Sequence, residues 1–217
     1  MKSNIIPTEI SRGVIMENWT TLADKVTLEK TMESLKNNGI SSYYVQTGEA
    51  AKQKLLELLP EGSEVMNNSS TTLIQIGADK AINESGKYIS VRNMLMKMDR
   101  NTQNREMQRM GAAPEYSIGS VHAVTQTGEL MWASASGSQI PGYAFGADKV
   151  VLVVGTHKIV KDLNKGFERI YKHCLPLENE RAMKAYGAPS AVNKLFVINK
   201  DRPTRTHLIF VNEALGF

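Results

Sequence analysis

Two loops of small polar residues carry the side chains best suited to holding a ligand. NNSSTT, residues 67–72, follows a predicted strand and opens a predicted helix, and SASGSQ, residues 134–139, again lies between a predicted strand and a helix. In open α/β folds, ligands lie beyond the carboxyl ends of the strands, where helix N-termini present free N–H groups. We therefore expect both loops to line one pocket for a small anion or nucleotide-like ligand.

Each loop also has a plainer interpretation. Serine, threonine and asparagine are the preferred N-cap residues, so NNSSTT is also typical of an ordinary helix start. SASGSQ is typical of a turn or a flexible connection. Their occurrence at two equivalent strand ends is what favours a shared pocket.

Two further side chains could do chemistry beside this pocket. His122 lies at a predicted strand end, and a histidine with an ordinary pKa near 6.5 can act as acid or base at neutral pH. Lys158 follows the apolar run VVLVVGTH and could pair there with a carboxylate, phosphate or carboxamide. A hydrogen-bonded strand histidine and a solvated lysine are the competing interpretations.

The sequence therefore predicts His122 as the titratable participant if the protein is catalytic. Thr125 and Gln126, which lie between the two loops in sequence, are assigned to the pocket rim. The predicted ligand-binding residues are Asn68, Ser69, Ser70, Thr71, Thr125, Gln126, Ser136, Gly137, Ser138, Gln139 and Lys158.

Metal chemistry has little support in the sequence. The four histidines stand at 122, 157, 173 and 207 without a recognised metal-ligand spacing, and the single cysteine, Cys174, is expected to pack within a helix. We predict no metal site and assign no cofactor.

Composition excludes several classes of protein. The 217 residues are 41% hydrophobic and 22% charged, and no segment approaches the roughly 18 apolar residues of a membrane span. MKSNIIPTEISRG at the N-terminus lacks the apolar region of a secretory signal, so we expect a cytoplasmic protein. The net charge of +4 comes from scattered lysines and arginines, which argues against nucleic acid as a partner.

Strand-like and helix-like patterns alternate along the chain, which predicts an α/β three-layer sandwich with a largely parallel central sheet. An N-terminal helical segment, residues 1–40, precedes the main domain, residues 41–217. The predicted strands are SSYYVQT, SEVMNN, KYISVRNM, EYSIGSVHAVT, GELMWAS, KVVLVVG, KLFVINK and THLIFVNE. The predicted helices lie at 19–35, 49–59, from a Thr72–Gln75 capping box onward, at 99–112 and at 160–172, with Pro176 dividing the last from a piece that reaches Tyr186.

Several of these segments together resemble the lactate-utilisation (LUD) domain family, which includes the third protein of bacterial lactate-utilisation operons. The resemblance covers roughly residues 41–217 and depends on NNSSTTLIQIG, KVVLVVGTHKIVKDL, PSAVNKLFVINK and RTHLIFVNEALGF in combination. It implies a fold similar to the superfamily of ribose-phosphate isomerase, glucosamine-phosphate deaminase and CoA-transferase, whose strand-end loops hold phosphates or thioesters. It also implies a link to growth on lactate with iron–sulfur oxidoreductase companions.

The chain departs from the family pattern at two places. Gln126 and Thr127 stand where many members carry acidic residues, and Ser138-Gln139 stands where many have Asn-Arg. The first change removes a candidate general base, and the second removes a bidentate phosphate partner.

Three functions remain open at this point. The first is a subunit or accessory of an iron–sulfur oxidoreductase system that oxidises lactate or a related organic acid. It would bind a small anionic metabolite, and a homo-oligomer is one assembly that it could form. The second is a stand-alone isomerase or acyl/CoA transferase acting on a sugar phosphate or CoA ester. The third is a non-catalytic metabolite sensor.

Overall fold

A computed structural model describes residues 17–217, and a six-stranded parallel sheet lies at its centre. The strands of this main sheet are β1 Ser41–Val45, β2 Glu64–Asn67, β3 Ile89–Ser90, β4 Tyr116–Gly119, β7 Lys149–Gly155 and β10 Thr206–Val211. Their order is β1-β10-β7-β4-β2-β3, and every pairing is parallel. The predicted α/β fold with a parallel central sheet is confirmed.

The central strand β7 is covered on both faces, as its unbroken apolar run predicts. Val150, Leu152 and Val154 pack into one core, whereas Val151 and Val153 pack into the core on the opposite face. Because neighbouring side chains alternate between faces, the strand could bury all five only with a layer on each side.

A second sheet of four strands covers one face of the main sheet. Its strands are β5 Ala123–Thr125, β6 Leu130–Ser134, β8 Ile159–Val160 and β9 Lys194–Ile198. Their order is β8-β5-β6-β9, and only the β5–β8 pairing is parallel. Leu130 and Trp132 face the main sheet, whereas Ala123 and Met131 pack on the other side. The sequence predicted most of these residues as strands but not that they form a separate sheet.

The helices flank the two sheets. They are α1 Lys25–Asn37, α2 Gly48–Glu57, α3 Thr71–Gln75, α4 Ala78–Asn83, α5 Val91–Met96, α6 Arg100–Ala112, α7 Leu163–Arg169 and α8 Leu175–Tyr186. Two π-helical turns, Gly142–Gly146 and Ile170–Cys174, and a 3₁₀ turn, Thr156–Lys158, complete the chain. Within residues 17–217, none of the helices has the length and apolarity that a membrane crossing requires.

Several local predictions were wrong at element boundaries. Ser70, not Thr72, caps α3 by accepting a hydrogen bond from the Leu73 N–H. KYISVRNM forms only a two-residue strand, because Ser90 accepts from the Asn93 N–H and starts α5. The late helical region is divided as expected, since α7 ends at Arg169, a π-helical turn follows, and α8 begins at Leu175 with Pro176 in its first turn and reaches Tyr186.

The N-terminal helical segment is shorter than predicted within the described region. The pattern from Trp19 predicts a helix over 19–35, but α1 begins at Lys25, where Asp24 caps it by accepting from the Thr27 N–H. Leu28 and Leu35 then pack into the core between the two sheets. Residues 1–16 of the predicted segment lie outside the described residues.

A buried arginine holds the π-helical turn Gly142–Gly146 against the main sheet. Arg205 donates hydrogen bonds to the carbonyl oxygens of Gly142 (2.9 Å), Tyr143 (2.8 Å) and Ala147 (3.1 Å). Its guanidinium also pairs with Asp201 at 2.9 Å, and its side chain is only 4% exposed. Arg205 therefore supplies donors to the carbonyls of the irregular turn, of which that of Gly142 also accepts from the Ala147 N–H at 3.2 Å.

Replacing Arg205 by methionine should destabilise the fold by about 3–5 kcal/mol, because Asp201 and three carbonyls would lose their buried partner. Urea unfolding of Arg205→Met measures this loss. Arg202→Met is the matched control, since Arg202 pairs with Asp148 at the surface, and it should change stability by less than about 1 kcal/mol. Equal losses in the two variants would contradict the role of Arg205.

Candidate functional site

Chain segments from four neighbouring strands meet at the carboxyl edge of the main sheet. The Lys158 amine lies 3.2 Å from the Thr72 Oγ1 and 3.2 Å from the Ser120 Oγ, and it donates to both hydroxyls. The Thr72 hydroxyl in turn donates to the carbonyl oxygen of Leu215 at 3.1 Å. Thr72, Ser120, Lys158 and Leu215, which follow β2, β4, β7 and β10 respectively, are called the strand-end cluster below.

Lys158 reaches this position because β7 runs through the core and continues into a 3₁₀ turn. Its side chain is 1% exposed, so the interpretation as a solvated lysine is wrong. The segment 212–217 covers it, with Gly216 at a φ of 67°. A Cβ at Gly216 would lie 2.4 Å from the Thr72 Oγ1 and 3.1 Å from the Lys158 Nζ, so only glycine lets the segment pass this closely.

The Lys158 amine has no acidic partner in the described part of the chain. No carboxylate of residues 17–217 lies within 4.0 Å of it, although Asp and Glu pair with many other cations. Burial, with the nearby charge of Arg169 adding to it, lowers the pKa of Lys158 to about 7. The amine is therefore partly neutral at physiological pH, and an anion beside it would restore the proton.

Arg169 is a second buried cation close to this amine. It is 0% exposed, and its Nη1 donates to the His122 carbonyl oxygen (2.5 Å) and contacts the Cys174 Sγ (3.0 Å). Its Nε and Nη2 have no hydrogen-bond partner among residues 17–217. These two N–H groups form one edge of the guanidinium, which is the fork that binds carboxylate or phosphate through two parallel bonds.

His122 lies near both cations but is a poor acid–base group. Its Nδ1 accepts a hydrogen bond from the Ala133 N–H at 3.3 Å. Burial, followed by the charges of Lys158 and Arg169, lowers the pKa of His122 to about 3. The ring is therefore neutral at pH 7, and the assignment of His122 as the titratable participant stays a prediction.

His157 is likewise held neutral beside the strand-end cluster. It is 4% exposed, and neither ring nitrogen has a hydrogen-bond partner within the described residues. Burial, with Lys158 and Arg169 adding to it, lowers the pKa of His157 to about 3, although the backbone of Gly216 acts in the opposite direction. Two neutral histidines therefore lie near two buried cations, Lys158 and Arg169, and neither cation pairs with an acidic side chain of residues 17–217.

The loop NNSSTT lies at this edge of the sheet, where the sequence predicts it, but its side chains bond to the protein itself. Asn68 is 7% exposed and donates to the Ser117 Oγ (2.9 Å) and the Ile118 carbonyl oxygen (3.1 Å). Ser70 caps α3, and Thr71 is the first residue of that helix. Ser69 is exposed and accepts from the Arg92 Nη1 at 3.0 Å.

Tyr143 and Trp132 connect the strand-end cluster to the second sheet. Their rings stack with centroids 5.2 Å apart, and the Trp132 Nε1 donates to the Ser120 carbonyl oxygen at 2.8 Å. The Tyr143 hydroxyl lies beside Asn68, and burial raises the pKa of that phenol. A Cβ at Gly119 would fall 1.9 Å from the Tyr143 oxygen, so β4 must end in glycine here.

The SASGSQ loop does not lie at an equivalent strand end. It follows β6, which belongs to the antiparallel part of the second sheet, so the premise of two equivalent loops is wrong. Ser134 Oγ accepts from the Gly137 N–H (2.8 Å) and donates to the Gln139 Oε1 (3.1 Å), and Ser136 Oγ lies 3.2 Å from Ser138 Oγ. Within residues 17–217, no hydrogen bond joins this loop to NNSSTT.

Thr125 ends β5 and Gln126 begins the β5–β6 turn, and neither has a hydrogen bond to Lys158 within residues 17–217. The Thr125 hydroxyl bonds to the Glu129 carboxylate, and its oxygen accepts from the Glu129 N–H at 2.9 Å. The Gln126 N–H donates to the Val160 carbonyl oxygen at 2.9 Å. These contacts give Thr125 and Gln126 structural roles in the sheet and the turn.

Large surface depressions lie away from the strand-end cluster. One of about 690 Å³ is bordered by Met32, Ile40, Tyr43 and Pro203 near the amino edge of the main sheet. Another, of about 410 Å³, follows β9 from Phe196 to Asp201. Neither contains a predicted ligand-binding residue. The buried cations Lys158 and Arg169 are the stronger candidates for a ligand site, because a buried charge requires a partner on energetic grounds. No three potential metal ligands cluster anywhere in the described 17–217 range.

The free energy of unfolding of His157→Leu should rise relative to that of the wild type as the pH falls. The unfolded histidine takes a proton below about 6.5, whereas the folded ring stays neutral down to about 3, so the wild type loses stability over this window. From pH 7 to pH 5 the variant should gain about 2 kcal/mol relative to the wild type.

Urea unfolding at the two pH values measures this gain. Tyr171→Leu, at a half-exposed position, is the control and should show no such change. A constant difference between His157→Leu and the wild type would contradict the neutral buried ring.

Comparisons with known proteins agree with this architecture. Residues 28–211 match the LUD domain. A DUF162 family protein from Deinococcus radiodurans has a similar fold, with a TM-score of 0.53 and 12% identity over 88% of this chain and 100% of that chain. No curated protein sequence matches this chain. The LUD match includes every strand of both sheets and the cluster residues Thr72, Ser120 and Lys158, so the chain belongs to the LUD domain family.

Proposed function

We propose that this protein binds a small organic anion at the strand-end cluster and so supports oxidation of lactate or a related organic acid. The observation that carries the proposal is the pair of buried cations, Lys158 and Arg169, with no carboxylate of residues 17–217 in reach. An isolated buried charge costs several kcal/mol, and a bound carboxylate or phosphate would offset that cost. The free edge of Arg169 fits either group.

The organic-acid context is taken from the family, and the chemistry of the chain is consistent with an accessory role. The 217 residues contain one cysteine, so electron transfer would take place on iron–sulfur subunits of a cytoplasmic oxidoreductase system. Because His122 is neutral and poorly basic, the geometry supports binding more than the acid–base catalysis of a sugar-phosphate isomerase.

Thermal unfolding with added L-lactate, pyruvate, inorganic phosphate, a sugar phosphate or CoA tests the proposal. At least one of these anions should raise the melting temperature of the wild type, and Lys158→Met should abolish the shift. Lys149→Met is the matched control, because Lys149 begins the same strand, at the opposite end from Lys158, and its amine donates to the Thr204 carbonyl oxygen at 2.8 Å. Its ligand-induced shift should equal that of the wild type.

The pH dependence gives the same test a second arm. An anion prefers the protonated amine, so the shift should shrink as the pH rises from 6 to 8 through the Lys158 pKa of about 7. A shift that survives in Lys158→Met but disappears in Ser136→Ala would place binding at the SASGSQ loop and overturn the assignment.

A further inference from the structure

Besides its capacity to pair with an anion, the Lys158 amine has the surroundings of a nucleophile. Two of its three donor positions are used by the hydroxyls of Thr72 and Ser120, both uncharged. The small backbone of Gly216 passes beside the nitrogen, where any larger residue would collide. A lysine becomes a good nucleophile when it is desolvated or placed near another cation, and both conditions hold here.

We infer that Lys158 forms an imine with the ketone carbon of a small 2-oxo acid whose carboxylate is bound by the free edge of Arg169. The inference rests on the proposed function, since it uses the same site, and it names the ligand class: the oxidised partner of a 2-hydroxy acid. A carbonyl reacts with an amine and a carboxylate pairs with a guanidinium, so a 2-oxo acid offers one group to each of these two side chains.

The reaction balances without an oxidant or a reductant. The amine lone pair attacks the ketone carbon, the C=O electron pair moves to oxygen, and that oxygen takes a proton from the attacking nitrogen. The carbinolamine then loses water, so a C=O bond becomes a C=N bond and one water leaves. The hydroxyls of Thr72 and Ser120, each 3.2 Å from the nitrogen, are placed to relay the protons.

The charged and titratable groups around the amine set its pH dependence. Arg169 of α7 lowers the pKa of Lys158, and Cys174 of the following turn raises it. The three histidines near the amine are neutral rings at pH 7; they are His122, His157 and His173. The nucleophilic neutral amine therefore forms near pH 7. Anion binding alone weakens over the same rise in pH, which separates the two processes.

Borohydride trapping tests the imine on the intact protein. Pyruvate with sodium cyanoborohydride at pH 7 should add the mass of pyruvate minus one oxygen to the peptide that contains Lys158. A surface lysine is almost wholly protonated at pH 7, so Lys158 should be labelled at least ~10-fold more than the average surface lysine. The adduct should be lost in Lys158→Met, kept in Lys149→Met and absent when L-lactate replaces pyruvate.

Two measurements keep the result independent of misfolding. Circular dichroism verifies that Lys158→Met is folded, and in the wild type the labelling rate of Lys158 should reach half its maximum near pH 7, far below that of surface lysines. Labelling spread evenly over surface lysines would overturn the imine. If pyruvate and lactate both shift the melting temperature through Lys158 without an adduct, the imine fails while the anion site stands; an adduct at Lys158 without any such shift supports the imine and refutes the anion site.

Discussion

The burial of the Lys158 amine without an acidic partner is the constraint on which the rest of the site depends. β7 is covered on both faces, so the chain that leaves it is still inside the protein at residue 158, and the segment 212–217 closes over the nitrogen. A buried amine can lose its proton, bond to hydroxyls or receive an anion, and all three responses involve the same nitrogen. Proton affinity, anion affinity and nucleophilicity are therefore linked properties of this residue, with Arg169 influencing each.

The main sheet could be predicted from the sequence because its signals are local. KVVLVVG and THLIFVNE are apolar runs bounded by turn residues, and each became a strand at the expected place. The second sheet could not be predicted, since β6 pairs with β9 more than sixty residues later and nothing in either segment specifies that partner. The two π-helical turns were also missed, because their sequences have no distinguishing pattern and depend on tertiary contacts such as those of Arg205.

Part of the candidate site could also be predicted from local sequence signals. Lys158 and Asn68 follow strands of the parallel sheet, and the rule for strand ends placed them correctly. Ser136–Gln139 failed the same rule because it follows an antiparallel strand. Arg169 was missed because in the sequence it reads as an ordinary charged residue in the last turn of a helix. Its position near Cys174 and His122 arises only when α7 packs on the second sheet, and this arginine supplies the fork that Ser138-Gln139 lacks.

The position of β10 has a consequence for how the chain is made. Among the residues that the structure describes, β10 is the last strand in sequence; it lies between β1 and β7 and is the one strand that pairs with β1. On the ribosome, the first strand therefore waits without a hydrogen-bonding neighbour until residue 211 has emerged, and one edge of the apolar β7 stays open for the same period. Open apolar edges pair readily with other nascent chains, and such long-range pairing is intrinsically slow. Synthesis of this protein thus includes a long interval in which protection by chaperones matters most.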